Sequence, residues 1–174
     1  MFHLITGGSG SGKSAYAEER IVAYHKQNAL YYIATMQPYG KEMEEKIKRH
    51  RKMREGKGFQ TIECYMDLKE QHVEKGSSVL LECMSNLVAN ECYRALEEMD
   101  EEQIIKSICE DISHLHNQCD NLVVVTNEVC SECTTDSVDM IRYKKILSRI
   151  NCVMAREADR VTEVVYGIPV EVGE

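Results

Sequence analysis

Eight consecutive residues, Gly7-Gly8-Ser9-Gly10-Ser11-Gly12-Lys13-Ser14, complete the pattern G-x-x-x-x-G-K-S. Glycines at such spacing let the backbone curl until successive N–H groups point at phosphate oxygens. A lysine at the position of Lys13 reaches the β- and γ-phosphates of a nucleoside triphosphate, and the hydroxyl of Ser14 is a ligand for Mg²⁺. The bland alternative is a flexible Gly/Ser turn. Against it, an apolar run, Phe2–Ile5, precedes the loop and a helical pattern follows, the context that a phosphate cradle requires. Such a metal needs a second carboxylate at the end of a buried strand. Val79-Leu80-Leu81-Glu82 offers one in Glu82, and Asn127-Glu128 is a weaker competitor. The pattern leaves open whether a phosphoryl group moves, a whole nucleotide moves, or the nucleotide is only sensed.

A second cluster narrows that question. Between Lys46 and Lys57 stand seven Lys/Arg residues and a single acid, Glu55, in a chain whose net charge is -8. His50 lies among these cations. Nearby positive charge disfavours imidazolium and leaves a neutral ring with a free lone pair. Such a ring can attack phosphorus, while the same cations hold a triphosphate and stabilise charge as pyrophosphate departs. A solvated helix face carrying a surface histidine is the competing reading. His3, His25, His72, His114 and His116 read as structural or surface groups; His114 and His116 stand two apart and diverge on a helix.

These groups depend on the elements that carry them. Phe2–Thr6 reads as a short buried strand, and a helix runs from about Lys13 to His25. Ala29–Thr35 is a strand rich in aromatic and branched residues. Lys41–Arg54 is a helix with Glu42, Glu44 and Glu45 in its first turn and basic residues toward its end, as the helix dipole favours. Phe59–Cys64 and Ser78–Glu82 read as strands, Leu87–Glu98 and Glu101–Asn117 as helices, and Asn121–Thr126 as the most strand-like run. A long helix covers about Val138–Glu157, and Arg160–Val172 forms two strands joined through Gly167-Ile168-Pro169. Alternating strands and helices around a glycine loop predict an α/β, P-loop NTPase-like three-layer sandwich with a mostly parallel central sheet. Ligands then gather at the carboxyl ends of the strands.

Bulk properties bound the function classes. A chain of 174 residues suits a single P-loop nucleotide-binding domain, 1–174. No apolar run approaches the roughly 20 residues that span a bilayer, so no membrane insertion is expected. The acidic balance disfavours nucleic acid, and no aromatic residue interleaves the basic run for base stacking. Of eight cysteines, Cys83 falls in a strand-like run and Cys92, Cys109 and Cys152 in helix-like stretches, ordinary places for reduced thiols. Cys130-Ser131-Glu132-Cys133 is the sole CxxC, without a second pair at metal-ligand spacing. The expected compartment is the cytoplasm.

Taken in order, these motifs resemble one family. They are Gly7–Ser14 followed by Ala17-Glu18; Tyr32-Ile33-Ala34-Thr35; Glu42-Met43 leading to Ile47, His50-Arg51 and Arg54; Thr61-Ile62-Glu63-Cys64; Leu80–Cys83 with Asn86 and Asn90; Thr126–Val129; and Asn151, Ala158-Asp159 and Gly167-Ile168-Pro169. The set is similar to the bifunctional adenosylcobinamide kinase/adenosylcobinamide-phosphate guanylyltransferases. The resemblance implies that a nucleoside triphosphate, ATP or GTP, phosphorylates the aminopropanol hydroxyl of adenosylcobinamide. GTP then transfers GMP to that phosphate through a covalent guanylyl group on the histidine matching His50. It further implies Mg²⁺, a homotrimer, and nucleotide contacts at Gly7–Ser14, Thr35, Met36, Gln37, Arg51, Lys52, Met53, Arg54, Glu63 and Glu82.

The chain departs from the family pattern at four places. Glu82 replaces an aspartate, Cys130–Cys133 replaces a glycine-containing stretch, and Tyr143-Lys144-Lys145 and Ser148 replace a segment with an Arg-Asp pair and a glycine. These departures keep two other readings open. One is a P-loop small-molecule kinase with one half-reaction only; the other is a non-catalytic nucleotide-binding regulatory protein.

Overall fold

A computed structural model describes residues 1–94, 99–129 and 137–173. Seven strands, β1 (Phe2–Thr6), β2 (Leu30–Ala34), β3 (Gln60–Glu63), β4 (Ser78–Glu82), β5 (Asn121–Val125), β6 (Arg160–Val165) and β7 (Ile168–Glu171), make one sheet in the order β3-β2-β4-β5-β1-β6-β7. Among the described residues only the β6–β7 pairing is antiparallel. The register brings Glu82 level with Ala34 on one side and Val125 on the other, so these strands end together beside the glycine loop.

Both faces of the central strands are covered, which is why they read as continuous apolar runs. The pleat sends Leu4, Ile33, Leu81 and Val124 into one core with helices α3 (Met84–Arg94), α4 (Glu101–Gln118) and α5 (Val138–Glu157). It sends Ile5, Tyr32, Leu80 and Val125 into the other, against Ala17 and Ile21 of helix α1 (Lys13–Tyr24). The three-layer, mostly parallel α/β sandwich is therefore present. Helix α2 (Gly40–Arg54) exposes most of its surface and buries only His50 and Arg54, both near its end.

Local signals account for most boundaries. Helix α4 begins with a reciprocal capping box, in which Gln103 N–H donates to Asp100 Oδ1 at 2.8 Å and Asp100 N–H donates to Gln103 Oε1 at 2.9 Å. Helix α3 starts earlier than its apolar periodicity suggested, because Leu87 N–H already donates to Cys83 O at 3.3 Å and closes a first turn. The far end expected for that helix, residues 95–98, and the whole CxxC segment lie outside the described residues. A 3₁₀ turn at Leu68–Glu70 had no periodic signal; it seats the buried Leu68 and is held by Asp67 N–H donating to Glu91 Oε1 at 2.8 Å. The last hairpin turns at Tyr166-Gly167, one residue before the expected connection. Ile168 and Pro169 already belong to β7, an edge strand that tolerates proline.

Candidate active site

The glycine loop leaves β1 and delivers α1 without a side-chain cap. Gly12 stands at the helix start with φ of 93°, and no side chain there bonds to the first-turn N–H groups. Those donors are free for an anion, as the loop chemistry demands. Lys13 is buried and its Nζ donates to Gly8 O at 2.9 Å; burial holds its pKa below the ordinary lysine value. Gly7 has no room for a side chain, since a Cβ there would sit 2.5 Å from Val164 O and 2.7 Å from Ser11 Oγ.

Glu82, at the end of β4, is the hub. Its carboxylate accepts from Ser14 Oγ and, at 3.1 Å, from the hydroxyl of Tyr32. His50 Nδ1 stands 3.5 Å from Glu82 Oε1 and has no hydrogen-bond partner of its own. Helix α2 reaches this point because Arg54 lays its guanidinium 3.5 Å from the centre of the Tyr32 ring, a cation–π contact. His50 is held neutral chiefly by burial; Glu82 opposes this, and Arg49, Lys46 and Arg54 reinforce it. The cations identified in the sequence thus act in the expected direction, but loss of water is the larger cause.

Two residues named above only as parts of a motif and of the basic run, Glu18 and Lys57, complete the cluster. Glu18 is fully buried, one of its oxygens accepting from Lys57 Nζ at 2.6 Å and the other unpartnered. Burial raises the Glu18 pKa and Lys57 partly restores it. Ligand atoms from Glu18, His50 and Glu82 all lie within 4.8 Å of one another. The signal for Glu18 was its place four residues after Ser14, on the same face of α1.

A cavity of about 490 Å³ opens over this cluster. Ser9, Gly10, Ser11, Gly12, Lys13, Ser14, Met36, His50, Arg51, Met53, Arg54, Glu63 and Glu82 all line it, so the glycine loop and the basic helix face one space. Gly7 and Gly8 do not line it; the Gly8 carbonyl accepts from Lys13 and Gly7 O accepts from Glu128 N–H at 3.3 Å. Thr35 is buried and spans β2 to Cys83, its hydroxyl donating to Cys83 O at 2.8 Å and accepting from Cys83 N–H at 2.7 Å. Gln37 does not line the cavity, and Lys52 borders a shallower surface hollow with Arg51 and Glu55. Arg51 is engaged with Glu63 at 2.7 Å. Of the competing pair Asn127-Glu128, Asn127 lines the cavity and the acid Glu128 does not; the Asn127 carbonyl accepts from Asn151 Nδ2 at 3.4 Å.

The family description cobinamide kinase / cobinamide phosphate guanyltransferase matches residues 3–172. The chain belongs to this family. Bifunctional adenosylcobalamin biosynthesis protein CobU of Escherichia coli (strain K12) is 32% identical over 184 residues, covering 99% of each chain. The protein of the same name from Salmonella typhimurium matches at the same identity and coverage. A solved ATPase of a bacterial type III secretion system shares the fold at a TM-score of 0.57 and 7% identity, over 98% of this chain and 56% of that one.

Within this cobinamide kinase / guanyltransferase framework, the departures in α5 are locally compensated. Lys145 pairs with Glu101 at 2.6 Å, Arg149 binds Glu102 with both terminal guanidinium nitrogens, and Arg142 donates to Met99 O at 2.9 Å. The reversed charge at Lys145 therefore fastens α5 to the start of α4. Other motif residues support the frame: Asp159 Oδ2 accepts from Phe2 N–H at 2.7 Å, and Asn90 Nδ2 donates to Thr35 O at 3.1 Å and Tyr65 O at 2.9 Å.

Proposed function

We propose that one cavity serves two successive transfers, with the glycine loop holding the triphosphate for both and His50 serving as the nucleophile of the second. As a member of its family, the chain is a bifunctional transferase that activates cobinamide with nucleotide substrates. In the first transfer, the acceptor hydroxyl of adenosylcobinamide attacks the γ-phosphorus of ATP or GTP and the nucleoside diphosphate leaves. In the second, a His50 ring nitrogen attacks the α-phosphorus of GTP and pyrophosphate leaves. The phosphate of adenosylcobinamide phosphate then displaces His50, taking GMP and freeing the ring.

The observation that carries this reading is the meeting of His50, Glu82 and Ser14: His50 Nδ1 is 3.5 Å from a carboxylate oxygen that also accepts from Ser14 of the phosphate loop. A histidine at this depth is neutral and has no hydrogen-bond partner, so a lone pair is available. Lys13 and Arg54 are buried cations at the same cavity, suited to charge that builds on departing phosphates. Ser14 and Glu82 form an all-oxygen donor pair, which suits a hard cation such as Mg²⁺. Bound there, Mg²⁺ would neutralise phosphate charge. The reading has the enzyme working as a cytoplasmic homotrimer, supported by the resemblance of the ordered motifs; light scattering after gel filtration tests the trimer.

Incubation with GTP labelled at the α-phosphate tests the histidine. The expected product is a protein adduct that is labile to acid, stable to base, and absent from His50→Asn. Label that survives this substitution removes His50 as nucleophile. Phosphorylation of adenosylcobinamide without any adduct in the wild-type enzyme would leave a kinase alone.

A further inference from the structure

The β6–β7 turn is hydrogen-bonded to the glycine loop. Gly167 N–H donates to Ser11 O at 2.8 Å, and a Cβ on Gly12 would meet Gly167 Cα at 3.4 Å. The turn residues, Tyr166 and Gly167, have φ of 51° and 80°. Two successive positive φ values belong to the tight hairpin turn in which Asn, Asp and Gly are favoured. Tyrosine in the left-handed region is strained. Its side chain gains nothing from packing in return, because Tyr166 is 95% exposed. A large aromatic held in an unfavourable conformation, clear of the core and tethered to a phosphate loop, is the kind of outlier that a ligand contact explains.

Topology indicates which part of a nucleotide arrives there. In the order β4-β5-β1-β6-β7, Glu82 ends β4 on one side of β1, and Tyr166 follows β6 on the other. Ser14 bonds to Glu82, so the β- and γ-phosphate end of a triphosphate is drawn toward β4. A triphosphate lying along the loop then extends its nucleoside the opposite way, across Gly12 to the β6–β7 turn.

We propose that Tyr166 is a stacking platform for the purine base of the nucleotide that the glycine loop holds for the first, phosphoryl, transfer, an inference that rests on the phosphate-loop reading of Gly7–Ser14. Stacking on an aromatic face is tolerant of base identity, since every base presents a π-face. The subsite therefore serves ATP and GTP alike and adds affinity without choosing between them.

Calorimetric titration of the full chain tests this with GTP, ATP and inorganic tripolyphosphate, each with Mg²⁺. Tyr166→Asn suits the left-handed turn and keeps the hairpin folded, while Tyr166→Phe keeps the ring. Tyr166→Asn is expected to weaken GTP and ATP about tenfold, within the usual range for one stacked base. Tripolyphosphate affinity stays unchanged, and Tyr166→Phe binds all three as wild type does. Unchanged GTP affinity in Tyr166→Asn, an equal loss for tripolyphosphate, or failure of Tyr166→Phe to retain binding overturns the platform. Failure of the wild type to bind tripolyphosphate, or full binding by Lys13→Ala, would instead remove the phosphate-loop reading and the platform with it.

Discussion

Acidification should destabilise this protein through His3, on the strand that feeds the glycine loop. The ring is fully buried. Its Nε2 lies 2.8 Å from Thr162 Oγ1 and its Nδ1 3.0 Å from the Tyr24 hydroxyl. Thr162 donates its proton to Glu171 Oε1 at 3.2 Å, so its oxygen accepts from Nε2–H and Nδ1 accepts from Tyr24. Burial, with Arg160 and then Arg20 adding to it against Glu171, lowers the His3 pKa from 6.5 to about 4. Because the folded-state value is the lower one, the unfolded chain binds more protons across that window. Stability is therefore intact above pH 6.5 and is lost as pH falls toward 4. A shift of this size is worth about 3 kcal/mol over the whole window and about 2 kcal/mol between pH 7 and pH 5. At a urea slope of about 2 kcal/mol per M, the pH 5 loss moves the unfolding midpoint by about 1 M. The assay is urea unfolding of wild type and His3→Gln at both pH values. The wild type should lose about 2 kcal/mol more than the variant on acidification. Equal pH dependence in the two proteins refutes the assignment, whatever other groups titrate.

Three further outcomes follow from particular contacts. Gly7→Ala places a methyl 2.5 Å from Val164 O; it should cost about 1–3 kcal/mol in thermal unfolding and weaken GTP in calorimetry, while Gly8→Ala, with nothing within 4 Å, should unfold near wild type. Lys57→Met strips the buried Glu18 of its partner. It should destabilise by about 1–2 kcal/mol, because Lys57 is partly exposed, and Glu18→Gln added to it should recover much of the loss in urea unfolding. Tyr32→Phe removes one hydrogen bond to the Glu82 carboxylate but leaves the ring under Arg54. Both transfers should slow about tenfold in kcat, with a melting temperature close to wild type.

Much of this architecture was legible from local signals. The strand, glycine loop and helix at the start read directly from residue types, because an uncapped helix entered through glycines has few uses besides anion binding. The continuous apolar runs at Ser78–Glu82 and Asn121–Val125 announced strands covered on both faces. The start of α3 and the 3₁₀ turn at Leu68 were not legible, since each depends on a few bonds to distant or non-periodic neighbours.

By itself the sequence determined the glycine loop between a strand and a helix, the basic helix with His50, and the alternation that makes a parallel sheet. All three are written in residue type and short spacing, which set backbone conformation and charge locally. Tertiary structure alone decided that His50 meets Glu82, that burial outweighs the neighbouring cations in keeping it neutral, and that Glu18 and Lys57 belong to the same cluster. Those facts depend on α2 folding back over Tyr32 and on β4 ending level with β2. Contacts between residues 32 and 64 positions apart, such as His50–Glu82 and Glu18–Glu82, depend on how elements pack, and no local pattern in the chain encodes that distance.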